Sequence, residues 1–79
     1  MAYEGYNGWA NWETWNVALW LQNDENLYRM ARRCGWRGYT YEELVPRLME
    51  MMPNATPDGV AWDDPELDYD ELNELVADL

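Results

Sequence analysis

The stretch Asn11-Trp12-Glu13-Thr14-Trp15-Asn16-Val17-Ala18-Leu19-Trp20-Leu21-Gln22 decides the fold. Asn11 is a favourable helix cap, and neither Gly nor Pro interrupts the residues after it, so a first helix is expected over 12–22. At about 100° per residue, Trp12, Trp15 and Leu19 share one side, Val17 and Leu21 lie on another, and Trp20 falls between them. A helix that is apolar nearly all round belongs at the centre of a core.

Working outward, Asn23-Asp24-Glu25 breaks this helix and caps a second, expected over 24–34. Leu27, Met30, Ala31 and Cys34 cluster on one face of it, with Arg29, Arg32 and Arg33 opposite. Gly35 is expected to end it in the left-handed conformation. The arginines suit the carboxyl-terminal end of the helix dipole, and Glu25 with Arg29 forms an i,i+4 pair, which is enough to explain the stripe. Thr40-Tyr41-Glu42-Glu43 is a capping box, so a third helix starts at 41, with Leu44, Val45, Leu48, Met51 and Met52 as its apolar face. Pro46 should bend or shorten its first turns, and Pro53 ends it. Thr56-Pro57-Asp58-Gly59 reads as a turn, and Val60-Ala61-Trp62 as a short extended stretch that plugs Trp62 into the core. Asp68-Tyr69-Asp70-Glu71-Leu72 reuses the cap-Tyr-acid-acid-Leu pattern and predicts a fourth helix over 69–78, with Leu72, Leu75, Val76 and Leu79 inward. On the amino-terminal side, residues 1–10, with Tyr3, Tyr6 and Trp9 among glycines, read as an irregular aromatic arm. The expectation is one domain over 1–79: the arm at 1–10, a helical scaffold over 11–52, and an acidic turn and helix over 53–79. Its class is mainly α, a compact bundle of three to four short helices. With six Trp and six Tyr and no Phe, the core is expected to be Trp-rich.

The residue types that are absent narrow the chemistry. The chain has no His, Ser or Lys, which removes Ser/His and Cys/His nucleophile pairs, lysine Schiff bases and histidine metal sites. Cys34 is the one cysteine, so no internal disulfide forms; beside arginines its thiol pKa could fall, but without a His base it reads as a small core hydrophobe. The amino-terminal residues lack a basic start and an apolar run, no stretch approaches the roughly 18 apolar residues of a membrane span, and a cytoplasmic location is expected. Asp68-x-Asp70 opens like a calcium loop but lacks the third ligand and the Gly that such a loop needs. A paired-carboxylate hydrolase would need a pocket that a domain this short can hardly form. The expectation is therefore a non-enzyme without metal or cofactor.

Charge carries the functional reading. Sixteen acids against five Arg give a net charge of −11, and the last basic residue is Arg47. Residues 48–79 hold ten acids and no base. Asp70, Glu74 and Asp78 form like-charged i,i+4 pairs, which cost a helix stability where mixed signs would add it. Carboxylates so spaced lie about 6 Å apart, comparable with phosphates along a DNA strand. The candidate partner-binding residues are Asp58, Asp63, Asp64, Glu66, Asp68, Asp70, Glu71, Glu74 and Asp78. The partner expected is a basic nucleic-acid-binding protein met by a monomer; a charge of −11 argues against binding nucleic acid directly, and no membrane partner is expected.

The run Asn7-Gly8-Trp9, then Asn11-Trp12-Glu13-Thr14-Trp15-Asn16-Val17-Ala18-Leu19-Trp20 and Asn23-Asp24-Glu25, resembles a segment of short proteins from phages and mobile elements. It covers about the first third of the chain. The remainder resembles DNA-mimic inhibitors, including anti-CRISPR and anti-restriction proteins, in composition and size. The resemblance implies a phage-type anti-CRISPR DNA mimic that binds a type I surveillance complex (Cascade) and blocks target DNA. An anti-restriction mimic, or an acidic adaptor regulating a basic host protein, stays open beside it.

Overall fold

Four helices make up the regular structure of the computed structural model, which describes residues 6–79. They are α1 (Trp12–Asn23), α2 (Glu25–Trp36), α3 (Tyr41–Met51) and α4 (Tyr69–Asp78). Tyr3 of the expected aromatic arm lies outside the described residues. No helix of the described residues is long and apolar enough to cross a membrane.

Each helix starts on a side-chain cap. Asn11 Oδ1 accepts from the Thr14 amide at 2.8 Å, and Asp24 Oδ1 accepts from the amides of Asn26 and Leu27 at 3.0 and 3.1 Å. Asp24 thus ends α1 and starts α2 in a single residue. The Thr40 capping box is formed in both directions, and Asp68 caps α4 through the Glu71 amide at 3.1 Å. Pro46 lies inside an uninterrupted α3. The one backbone bond it removes would end on the carbonyl of Glu42, an exposed residue, where water can substitute.

Gly35 does not terminate α2, which runs on to Trp36. The left-handed residue is Gly38, at φ +77°. There the Tyr39 amide reaches back to the Cys34 carbonyl at 2.9 Å and the Gly38 amide to that of Gly35 at 3.0 Å, a Schellman closure. Gly35 serves a different purpose: a Cβ at this position would collide with the backbone carbonyl of Val76. The missing side chain lets α2 and α4 touch backbone to backbone. These two helices each pack against all three others, whereas α1 and α3 do not meet, so the α2–α4 contact is the middle of the bundle.

The core is aliphatic around one indole. Leu21, Leu27, Leu44, Leu48 and Leu72 are fully buried with Trp62 and Tyr41. Each such leucine contributes roughly 1.5–3 kcal/mol through burial. The expected Trp-rich core is corrected here, because Trp62 alone of the six is fully buried; Trp9 and Trp20 only pack against the cluster. Trp36 is 73% exposed and Trp12 38%. Val60-Ala61-Trp62 delivers Trp62 as expected, but as irregular chain, and the described residues hold no strand beyond an isolated bridge between Tyr6 and Trp9.

Gly35→Ala tests the central contact. Alanine gains about 1 kcal/mol of helix propensity. The obstructing atom belongs to the backbone and cannot rotate away, so overpacking, typically about 1–3 kcal/mol, outweighs that gain. The expected outcome is a melting temperature several degrees lower; an unchanged or higher value contradicts the packing described.

Candidate functional site

Before any carboxylate can be assigned to a partner, its bonds within the molecule must be subtracted. Asp58 stands on the turn after Pro57, and its Oδ2 accepts from Asn16 Nδ2 at 2.8 Å and from the Trp20 indole at 2.9 Å. These two bonds, the Asn16 bond first, hold its carboxyl below the usual carboxylate range against a smaller desolvation that raises it. The same Asn16 accepts from the Thr56 hydroxyl at 2.7 Å, and that hydroxyl oxygen in turn accepts the Val60 amide at 3.1 Å. The turn closes on itself through Gly59 N to Thr56 O and Thr56 N to Val60 O, both 2.8 Å, with Gly59 at φ +97°.

The same pattern recurs higher on α1. Thr14, fully buried, donates its hydroxyl to Asn11 at 2.6 Å and accepts the Asp68 amide at 3.0 Å. Asn11 Nδ2 donates to the Glu66 carbonyl at 2.6 Å, and the Ala10 amide donates to Glu71 Oε1 at 2.7 Å. On the far side of the bundle Asn73 accepts the Tyr41 amide at 2.7 Å, the Tyr41 hydroxyl donates to the Trp62 carbonyl at 2.6 Å, and the Trp62 indole donates to the Met52 carbonyl at 2.9 Å. The irregular chain between α3 and α4 is therefore fastened at both ends and in the middle.

This sorts the nine carboxylates nominated from sequence. Asp58, Asp68 and Glu71 each commit an oxygen to holding the fold, and Asp64 commits one to the Glu66 amide at 2.8 Å. Asp63, Glu66, Asp70, Glu74 and Asp78 are exposed, and among the described residues their side chains make no hydrogen bond or ion pair. Asp70, Glu74 and Asp78 form a stripe along α4, about 180° from the buried Leu72–Val76 side. Asp68 is occupied as a helix cap, and among the described residues no group of three or more Cys, Asp and Glu converges as metal ligands would.

The remaining reactive groups are held in their neutral forms. Burial raises the Cys34 thiol above its usual pKa and outweighs the lowering by Arg47, Arg37 and Arg33. Cys34 is the small core hydrophobe expected, 4% exposed, and the neighbouring arginines do not bring its thiol below the usual value. Burial, then the Asp63 charge, also raises the phenol of Tyr69, which packs edge-on against Tyr41 at 5.3 Å.

Sequence reasoning missed the grouping of the basic residues. Arg29, Arg33 and Arg37 of α2 and its cap join Arg47 of α3 around one groove, while the Arg32 guanidinium lies 4.6 Å from the centre of the Trp36 ring. The signal available was the recurrence at 29, 33 and 37, an i,i+4 series that continues past the expected end of the helix.

The chain belongs to DUF7249, a family of unknown function, which matches residues 2–79. No curated protein and no solved structure matches it.

The Asp58 contacts give a pH signature. A carboxyl whose folded pKa is depressed contributes stability above its unfolded pKa, about 3.9, and loses it as pH falls through the lower folded value. Asp58→Asn keeps an acceptor but removes the charge. Its stability deficit, measured by urea unfolding, should be largest above about pH 5 and shrink as pH falls below the ordinary carboxylate range; a deficit independent of pH contradicts the charge-assisted contact.

Proposed function

We propose that this protein is a non-catalytic inhibitor that presents the α4 carboxylate stripe to the cationic groove of a nucleic-acid-binding protein, where it takes the place of DNA. The observation that carries this reading is the cost of the stripe. Asp70–Glu74 and Glu74–Asp78 are like-charged i,i+4 pairs, each destabilising by roughly 0.2–0.5 kcal/mol. Asp78 also stands in the last turn, where the helix dipole disfavours an anion, and no basic residue occupies that turn. A merely solvated face would gain from a lysine at either position.

The spacing suits the role. Carboxylates one helical turn apart lie about 6 Å from each other, an interval comparable with that of successive phosphates along a DNA strand. Asp63 and Glu66, exposed on the chain before α4, are further candidates for contact with the same partner. The setting we favour is an anti-CRISPR role, with a type I surveillance complex as the basic partner. The likeness of the Asn7–Glu25 segment to short phage proteins, and the small size and high acidity of the chain, support it.

The test is competition. Protein added to a purified type I surveillance complex should displace labelled target DNA, with potency falling steeply as salt rises. The triple variant Asp70→Asn, Glu74→Gln, Asp78→Asn should lose about tenfold or more in potency, or about 1.4 kcal/mol. It should melt no lower than the parent, because like-charge repulsion has been removed. Full potency in the variant contradicts the stripe mechanism. If the complex leaves DNA binding unchanged but affinity capture from a bacterial lysate yields a DNA-competed partner, the stripe stands and the CRISPR setting falls.

A further inference from the structure

All five arginines of this acidic chain line two adjoining clefts on one face. The larger, about 240 Å³, runs between α2 and α3, with Arg29, Arg33 and Arg37 on one wall and Arg47 on the other. Met30, Cys34 and Met51 give it an apolar lining. The smaller, about 170 Å³, shares Arg29 and Arg33 and adds Arg32 and Trp36. The shared pair makes the two clefts one continuous face.

Intramolecular roles do not account for this grouping. The dipole of α2 is served by Arg33 in its last turn, and Arg29 pairs with Glu25 at 2.6 Å between exposed groups, an interaction of small value. Arg33, Arg37 and Arg47 make no ion pair among the described residues, although the chain carries sixteen acids. Glu43, whose field reaches Cys34, already has its carboxylate on the Thr40 amide at 2.8 Å. The same face holds Trp36, Tyr39 and Met51, three of the five large hydrophobic side chains exposed among the described residues.

We propose that this face is a second interface, which docks an acidic, partly apolar segment of a protein partner. Arg, Trp, Tyr and Met are the residue types enriched at the centres of protein interfaces, and here they stand together. Guanidiniums accept carboxylates in fork geometry, while the methionine-lined groove takes an apolar side chain from the same segment. A small ligand would need a deeper site, since drug-sized pockets run from roughly 300 Å³ upward. A nucleic acid would bring a dense row of phosphates into a field of net −11, whereas a segment with a few carboxylates meets less repulsion and offers side chains for the groove.

The face is separate from the α4 stripe. On α2, Gly35 turns toward Val76 of α4, and Arg33 points about 160° away around the helix. The molecule can therefore hold a basic partner on one side and an acidic one on the other.

The test uses the full chain labelled with nitrogen-15. It is titrated in separate arms with a synthetic peptide of alternating Glu and Leu, a Lys–Leu counterpart, a twelve-nucleotide oligothymidylate, and adenosine monophosphate. The expected result is saturable shifts at the Arg33, Arg37 and Arg47 side chains and the Trp36 indole with the Glu–Leu peptide alone. Arg33→Gln with Arg47→Gln should weaken that binding about tenfold or more while melting shifts by no more than a few degrees, because both side chains are exposed and neither makes an ion pair among the described residues. Shifts equally saturable with the Lys–Leu peptide, stronger binding of the oligonucleotide or the nucleotide, or no shifts at these groups with any probe overturns the proposal.

Discussion

A single buried carboxamide fixes the second half of this protein. Asn16 is 1% exposed in the middle of α1, and its two ends are used at once, the amide on Asp58 and the carbonyl on the Thr56 hydroxyl. An unsatisfied polar group at such a site costs roughly 1–3 kcal/mol, a large share of what a domain of this size has to spare. The 56–60 turn must therefore sit where it does whenever α1 is packed. Thr14 imposes the same condition on the entry to α4 through the Asp68 amide. No buried side-chain nitrogen or oxygen of the described residues lacks a partner, so the condition is met throughout.

This arrangement explains how a chain of net charge −11 tolerates residues 48–79 without a single base. Cross-chain hydrogen bonds to α1 supply part of the cohesion that ion pairs supply elsewhere, and the rest comes from Trp62, Leu72 and Val76 in the core. The acids then divide by task. Asp58, Asp68 and Glu71 are fasteners, and the α4 stripe, Asp63 and Glu66 are left exposed. Rigidity matters for a surface of this kind, because a pre-ordered array loses less entropy on binding than a mobile tail would. The five arginines line one face, so this acidic molecule also carries a basic cluster.

Local rules made the helices legible. Asn11, Asp24, Thr40 and Asp68 announce their caps, and all four operate within the first turn, where sequence neighbours are also spatial neighbours. The misreadings arise where a residue answers to something distant. Gly35 resembles a terminator in sequence, but its absent side chain serves Val76, 41 residues away along the chain. The indoles of α1 resemble core residues by periodicity, yet the positions that are fully buried belong to smaller residues such as Thr14 and Ala18, while Trp20 spends its N–H on Asp58. In the candidate site, the i,i+4 spacing shows the α4 stripe directly. Asp64 and Asp68 are occupied by amides two and three residues on, but Asp58 and Glu71 bond to partners 38 to 61 residues away, which no local pattern encodes.

The account stands on the claim that the acidic half is fastened to α1 as part of one ordered body. Amide hydrogen exchange of the free protein tests it most directly at Asp68 and Val60, whose partners are the Thr14 and Thr56 hydroxyls. The account predicts that both amides exchange within about tenfold of the interior amides of α1, such as Leu21, opening only with the whole domain. Exchange at the rate of unstructured chain at Asp68 and Val60, with α1 still protected, would contradict it.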